Sequence, residues 1–287
     1  MHTVHATSIS PGIDLTCIHT SKFKTGTLSV NLISGLKRDT AASSALLPRV
    51  LRRGSTELPD MELIASALDD LYGAGVEPIV RKKGELHCTG FHVDFPDESY
   101  LPDRVSVLEK TASLAGSILL SPIMEHDTLL ADYVESEKKN LIDDIRSVIN
   151  DKRGYATKRL LEEMCADEDF SISRLGSEDE AQSITPQSLT AHHRSQLAES
   201  KIELLYCGSA DPERVEHTLR SAFRDLPERE FSYVPETNVV LSPPGGSPRK
   251  VTETLDVSQG KLAIGFRLGK DMKANLDYPA TMVFNAV

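Results

Sequence analysis

The segment Gly26-Thr-Leu28-Ser-Val30-Asn-Leu32-Ile-Ser-Gly35 constrains this chain more than any other. Its apolar residues step by two between glycines, the period of a strand that buries one face and wets the other. The pattern returns near the end as Gly260-Lys-Leu262-Ala-Ile264-Gly-Phe266-Arg-Leu-Gly269. In both places a polar stretch follows and then a helix-like segment. Two unrelated strands that alternate by chance would look the same; the alternative is a duplicated sheet-and-helix domain.

The intervening sequence fits such a domain. Ile13, Leu15, Cys17 and His19 also step by two, and with Leu28–Leu32 they read as an antiparallel hairpin. A helix is expected over 40–53, stopped by Gly54, and another over 60–72 after Pro59-Asp60. Strands 76–81 and 85–95 follow, joined at Lys83-Gly84. Helices are expected at 104–119, at 125–150 with a long apolar stripe, and at 155–164. A helix started by Thr185-Pro186, a strand 202–207 and a helix started by Asp211-Pro212 complete the set.

Residues 236–248, rich in Pro, Gly and Ser, read as a linker. The expected division is therefore a domain over 1–235, the linker, and the beginning of a second, duplicated domain over 249–287. Residues 280–287 are apolar, so a helix there needs cover from further chain or from another protein. The expected class is α+β: a mainly antiparallel sheet with helices packed on one side, then the incomplete second copy.

Composition limits the partners. Net charge is −11 over 287 residues, and the basic runs Arg49–Arg53 and Arg81-Lys82-Lys83 are too short for a general phosphate-binding surface. No nucleic-acid role is expected. No run approaches the length of a membrane span, and no signal-peptide core opens the chain. Cys17, Cys88, Cys165 and Cys207 form no C-x-x-C, which suits a reducing, cytoplasmic setting. No two of the nine histidines have ligand spacing with a third partner.

Several pieces, taken in order, carry a resemblance. They are Leu51-Arg-Arg-Gly54-Ser55 after the first helix, an acidic helix about 80 residues on, and Gly176-Ser-Glu-Asp-Glu180 with Ile184-Thr185 and Leu189. Cys207-Gly208 before Asp211, and Asp256 with Gln259, complete them. Their order resembles the insulinase/pitrilysin family, the inverted-motif zinc peptidases with a mitochondrial-processing-peptidase-like fold. Within it, the chain is most similar to the bacterial group associated with EF-P 5-aminopentanol modification.

The resemblance implies an H-x-x-E-H turn and a later Glu as metal ligands and base. Counting back from Gly54 puts the three motif positions on Ala45, Pro48 and Arg49. Alanine has no donor atom, proline offers no base, and arginine is permanently cationic. Glu135-Ser-Glu137-Lys138 retains the later acidic pattern, with Glu135 as the remnant ligand position and Glu137 on the apolar stripe. Arg49 is expected to meet Glu135 or Glu137, a guanidinium standing in for the lost metal charge.

The expected molecule is a proteolytically inactive homologue with no catalytic residue, no metal and no cofactor. The resemblance implies an accessory or peptide-binding subunit in a heterodimer with a metal-bearing homologue, or a self-dimer, with an extended peptide added to a strand edge. Two other readings stay open: an active zinc metallopeptidase with an unrecognised site, and a stand-alone interaction scaffold.

Overall fold

A computed structural model describes residues 2–102, 105–229, 238–240, 247–256, 258–267, 269 and 278–286. The strands are β1 Thr3–Ser10, β2 Ile13–His19, β3 Thr25–Gly35, β4 Gly75–Lys83, β5 Leu86–Pro96, β6 Met124–Glu125, β7 Thr128–Leu129 and β8 Lys201–Gly208. The helices are α1 Arg38–Leu51, α2 Met61–Asp69, α3 Val107–Leu120, α4 Ala131–Ser147 and α5 Lys152–Met164. They continue with α6 Glu178–Ser183, α7 Pro186–Glu199, α8 Pro212–Ala222 and α9 Tyr278–Ala286.

Six strands form one sheet in the order β1-β2-β8-β3-β5-β4. All neighbours are antiparallel except β2 and β8, which run parallel. The expected hairpin of 13–19 with 28–32 is therefore corrected. β8 enters between the two and hydrogen-bonds to both, pairing Leu15 with Leu204 and Val30 with Leu204 from opposite sides. Local alternation fixes which residues face the core, but not which strand lies alongside.

Leu15, Leu28, Val30, Phe91, Val93 and Leu204 point to one face and are fully buried there. Helices α1, α3, α7 and α8 cover that face. The starts of α2, α6, α7 and α8 obey capping chemistry. Asp60 accepts from the Leu63 N–H at 2.8 Å, Ser177 and Glu180 form a reciprocal box, and Pro186 and Pro212 sit in first turns behind Thr185 and Asp211.

Contacts divide the chain into one unit over 1–147 and 172–236, and another over 148–171 and 237–287. The division is not linear, unlike the one the sequence suggests. Within the second unit, α5 is tied to the later segment by side chains: Arg159 and Tyr155 both bond Glu253, at 2.6 and 2.7 Å. Arg267 donates to the Met164 carbonyl at 2.7 Å and pairs with the buried Glu168. The expected repeat strand at 260–269 is not a strand over its described residues. Leu262, Ile264 and Phe266 are exposed there, with no neighbouring strand among the described residues. Part of the expected linker and residues 270–277 lie outside the described residues. No helix in the described part is long and apolar enough to cross a membrane.

Gly176 holds the loop before α6 against α1. Its φ is +70°, and a Cβ there would lie 2.6 Å from the Ala42 nitrogen. Gly73 has φ +76° with open space around it. Gly73→Ala should therefore cost only the left-handed penalty, about 1–2 kcal/mol. Gly176→Ala should cost that plus about 1–3 kcal/mol of overpacking. Urea unfolding of both variants checks the order; equal losses would show that the loop yields without strain.

Candidate functional site

Helix α1 carries the motif positions at its C-terminal half. Ala45 and Pro48 are buried, and the Arg49 side chain is 22% exposed. The helix runs unbroken through Pro48, losing the one N–H that would have bonded back one turn. After Leu51 the chain turns tightly. A Cβ on Gly54 would lie 2.3 Å from the Pro59 carbonyl oxygen, so close backbone approach is what requires glycine here.

Three arginines occupy this end of α1, and each is tied to a different place. The Arg49 guanidinium meets Asp144 on α4 at 2.7 Å. Arg53 donates to Glu137 at 2.9 Å and lies over the Tyr133 ring, 4.9 Å from its centroid. Arg52 Nε donates to the Val76 carbonyl at 2.7 Å, and the same side chain meets Glu77 at 3.2 Å.

The expected pairing of Arg49 with Glu135 or Glu137 is corrected. The two cross-links run 53 to 137 and 49 to 144, so α4 passes α1 in the antiparallel sense. Residues 45–49 therefore face the part of α4 around Asp144, about two turns beyond Glu137. Glu135 is mostly exposed and bonds Lys138 at 2.7 Å on its own helix. Glu137 does meet a guanidinium, but that of Arg53. Sequence reasoning does not single out Asp144. The available signal was its spacing of seven residues from Glu137, which puts both on one helical face.

No donor set for a metal is present at this turn. Ala45 and Pro48 carry no ligand atom, and Arg49 already meets the facing carboxylate. Among the described residues, no group of three or more His, Cys, Asp or Glu side chains could hold a metal ion. A zinc ion of the kind the family resemblance implies does not fit these residues.

Beside α1 lies a buried polar cluster. Ser44 Oγ and His192 Nε2 share a hydrogen bond of 2.9 Å. His87 on β5 hydrogen-bonds the Arg174 backbone, and its Nε2 has no partner among the described residues. Burial pushes both imidazoles down to about 4, so they sit neutral near pH 7. His193 is lowered too, chiefly by burial, and its Nε2–H donates to the Leu119 carbonyl at 2.8 Å.

On the opposite sheet face Ser29, His92 and Asp94 form a row, with contacts of 3.0 and 3.1 Å. The order resembles a nucleophile relay. However, β3 is paired on both sides, so its amides are committed to the ladder and none is left to stabilise an oxyanion.

Removing Arg53 takes the one cationic partner from Glu137, whose side chain is only 13% exposed and keeps just the Asn140 amide at 3.1 Å. Arg53→Ala should cost about 2 kcal/mol, the buried-pair loss discounted for partial exposure. Arg49→Ala should cost under about 1 kcal/mol, because Asp144 is 54% exposed. Denaturant titration of the two variants checks this; an equal or reversed order contradicts the geometry. The histidines give a pH signature. Their folded pKa values of about 4 lie below the unfolded value of 6.5, so the unfolded chain binds protons first. Stability should be full above pH 6.5 and fall between 6.5 and 4, by on the order of 2–3 kcal/mol for each. His87→Gln should flatten that slope; an unchanged slope would show that His87 does not contribute to it.

Residues 183–287 match the family model for the peptidase M16 inactive domain. Over 276 residues the chain is 33% identical to the probable inactive metalloprotease YmfF of Bacillus subtilis (strain 168), covering 96% of this chain and 64% of that protein. Among solved structures, a conserved protein from Enterococcus faecalis V583 matches with a TM-score of 0.74 and 25% identity, over 83% of this chain and 57% of that one. A peptidase M16 inactive domain from Pseudomonas fluorescens matches with a TM-score of 0.64 and 15% identity, over 82% and 54%; this second likeness shows the fold alone. The chain thus spans less than two thirds of the length of each. By sequence match and by its mainly antiparallel sheet-and-helix fold, the chain is a homologue of the M16, insulinase-like peptidases.

Proposed function

We propose that this protein is the non-catalytic subunit of a pair whose other member is an M16 homologue bearing H-x-x-E-H, working in the cytoplasm on a peptide or protein held between them. The reading is carried by one observation: at the turn where the family's catalysis takes place, the side chains make structural ties. Arg49, Arg52 and Arg53 each hold a neighbouring element. A turn that is cross-linked in this way supports a shell, and a shell without chemistry contributes surface to a partner.

The sheet edge next to this turn favours a partner over independent peptide capture. The Leu36 N–H donates to Glu85 and the Asp97 N–H to Lys24. That sets the phase of the β3/β5 ladder, so the even-numbered residues of β4 direct their backbone groups outward. The Val76 carbonyl already accepts from Arg52, and Pro78 has no N–H to offer. An incoming peptide strand therefore meets a blunted edge over 76–78. β1, the other edge strand, has exposed side chains over Thr3–Ala6 and is the freer of the two.

The test is to purify the tagged full-length protein from its native host. A stoichiometric partner carrying H-x-x-E-H, identified by mass spectrometry, with peptide cleavage that requires both chains, is the expected result. Purification alone, with no such partner at any salt concentration, removes the proposal in favour of a stand-alone scaffold.

A further inference from the structure

We propose that two copies of this chain pair through the outer edge of β1, antiparallel and two-fold about His5, joining their two sheets into one. This does not depend on a metal-bearing partner. β1 and β4 are the opposite edges of the sheet, so an association at the α1 turn leaves β1 open.

Backbone phase decides which groups of β1 are free. The Ile202 N–H donates to the Gly12 carbonyl, and the Thr20 N–H to the Gly208 carbonyl. In the parallel register of β2 on β8, this directs the even-numbered residues of β2 to β8 and the odd-numbered ones to β1. β1 pairs Thr3 with His19, His5 with Cys17 and Thr7 with Leu15, so its odd residues are committed to β2. The amides and carbonyls of Val4, Ala6 and Ser8 therefore point away from the sheet. Arg220 on α8 marks that side: it donates to the Ser8 carbonyl at 3.1 Å, and to the Ile9 carbonyl beside it. Among the described residues, no backbone bond from outside the ladder reaches Val4 or Ala6.

This stretch is unguarded. Residues 2–13 hold no Lys, Arg, Asp or Glu, and their one proline is Pro11 in the turn. Edge strands that stay single carry charge, proline or a bulge along the exposed row. Here the bulge and the arginine come only at Ser8–Ser10 and close the far end. Val4, 60% exposed, puts a β-branched side chain on the open part.

A second copy matches the free groups one to one. In an antiparallel pair centred on His5, Val4 of each chain faces Ala6 of the other, and each facing pair exchanges two bonds. Both free residues are then satisfied on both chains. Centring on Ala6 would set the Val4 N–H against the Ser8 carbonyl that Arg220 already holds. Centring on Val4 would pair Ala6 with His2, outside the strand. About His5 the side chains also agree: Val4 falls beside the small Ala6, and Thr3 beside Thr7. A longer foreign strand laid along β1 would meet Arg220 at Ser8, whereas the two-fold pair closes within Thr3–Thr7. Two chains of net charge −11 repel, and this edge brings them together with no carboxylate at the join.

Two experiments on the full chain test it. The first is sedimentation velocity over a range of concentrations. The unaltered chain should dimerise. Ala6→Pro removes only an outward N–H, which an edge strand tolerates, and should weaken the dimer by about tenfold or more. Ala6→Thr keeps that N–H and should dimerise as the unaltered chain does. The second is mild oxidation of single-cysteine additions, with the unaltered chain as background. His5→Cys sets two thiols directly opposite in a non-hydrogen-bonded pair, within disulfide reach, and should cross-link. Thr3→Cys sets its two thiols four residues apart along the strands, about 13 Å, and should not. If Ala6→Pro does not fold, the cross-linking decides. A chain that is monomeric at every concentration, a dimer indifferent to Ala6→Pro, or cross-linking of Thr3→Cys equal to that of His5→Cys overturns the proposal. None of these results bears on pairing with a metal-bearing homologue, which co-purification tests separately.

Discussion

The pair formed by Arg53 and Glu137, laid on the ring of Tyr133, fixes how α4 lies on α1. Helix α4 has a small apolar footprint. Only Val134 and Leu141 are fully buried, with Tyr133, Ile142 and Ile145 partly so. Two knobs of that size define an interface but leave its axial register weakly specified. A shielded ion pair has a sharper optimum in distance and direction than an apolar contact. The Arg53 rung is the better shielded of the two and contributes most of the energy. The Arg49 rung, more exposed on its Asp144 side, sets direction more than it adds stability.

This arrangement explains why the sheet scaffold can be intact while the catalytic turn is not. Ala45, Leu46 and Leu47 pack into the core beside β5, and Gly54 admits the Pro59 backbone. Those roles belong to the fold and persist without chemistry. At the three motif positions this chain has core residues (Ala45, Pro48) and a cross-link (Arg49). Arg52 extends the same logic to the sheet edge by satisfying the Val76 carbonyl. An edge strand with an unpaired carbonyl invites association, and an arginine plus a proline blunt it.

Much of this was legible in the sequence. Period-two alternation located β2 and β3, the Lys83-Gly84 turn marked the join of β4 and β5, and Asp60, Thr185-Pro186 and Asp211-Pro212 located helix starts, because those signals act within a few residues. Three things were not legible. β8 pairs between β2 and β3 although it is remote in sequence, and alternation carries no information about neighbours. β1 gave no signal because Thr3–Ser10 is an edge strand with exposed residues through Ala6, so no buried face announced it. Pattern alone pairs Arg49 with Glu135 or Glu137, whereas the register of α4 on α1 pairs it with Asp144. Helix-to-helix register is decided by packing between segments, which no local spacing records.

Helices α1 and α4 are joined by arginine where an active relative would use metal. Elemental analysis of the purified full-length chain, paired with its thermal unfolding before and after a strong chelator, is the sharpest check of that substitution. No stoichiometric transition metal and an unchanged Tm are expected. About one zinc per chain, with a Tm that falls when the zinc is removed, would contradict it.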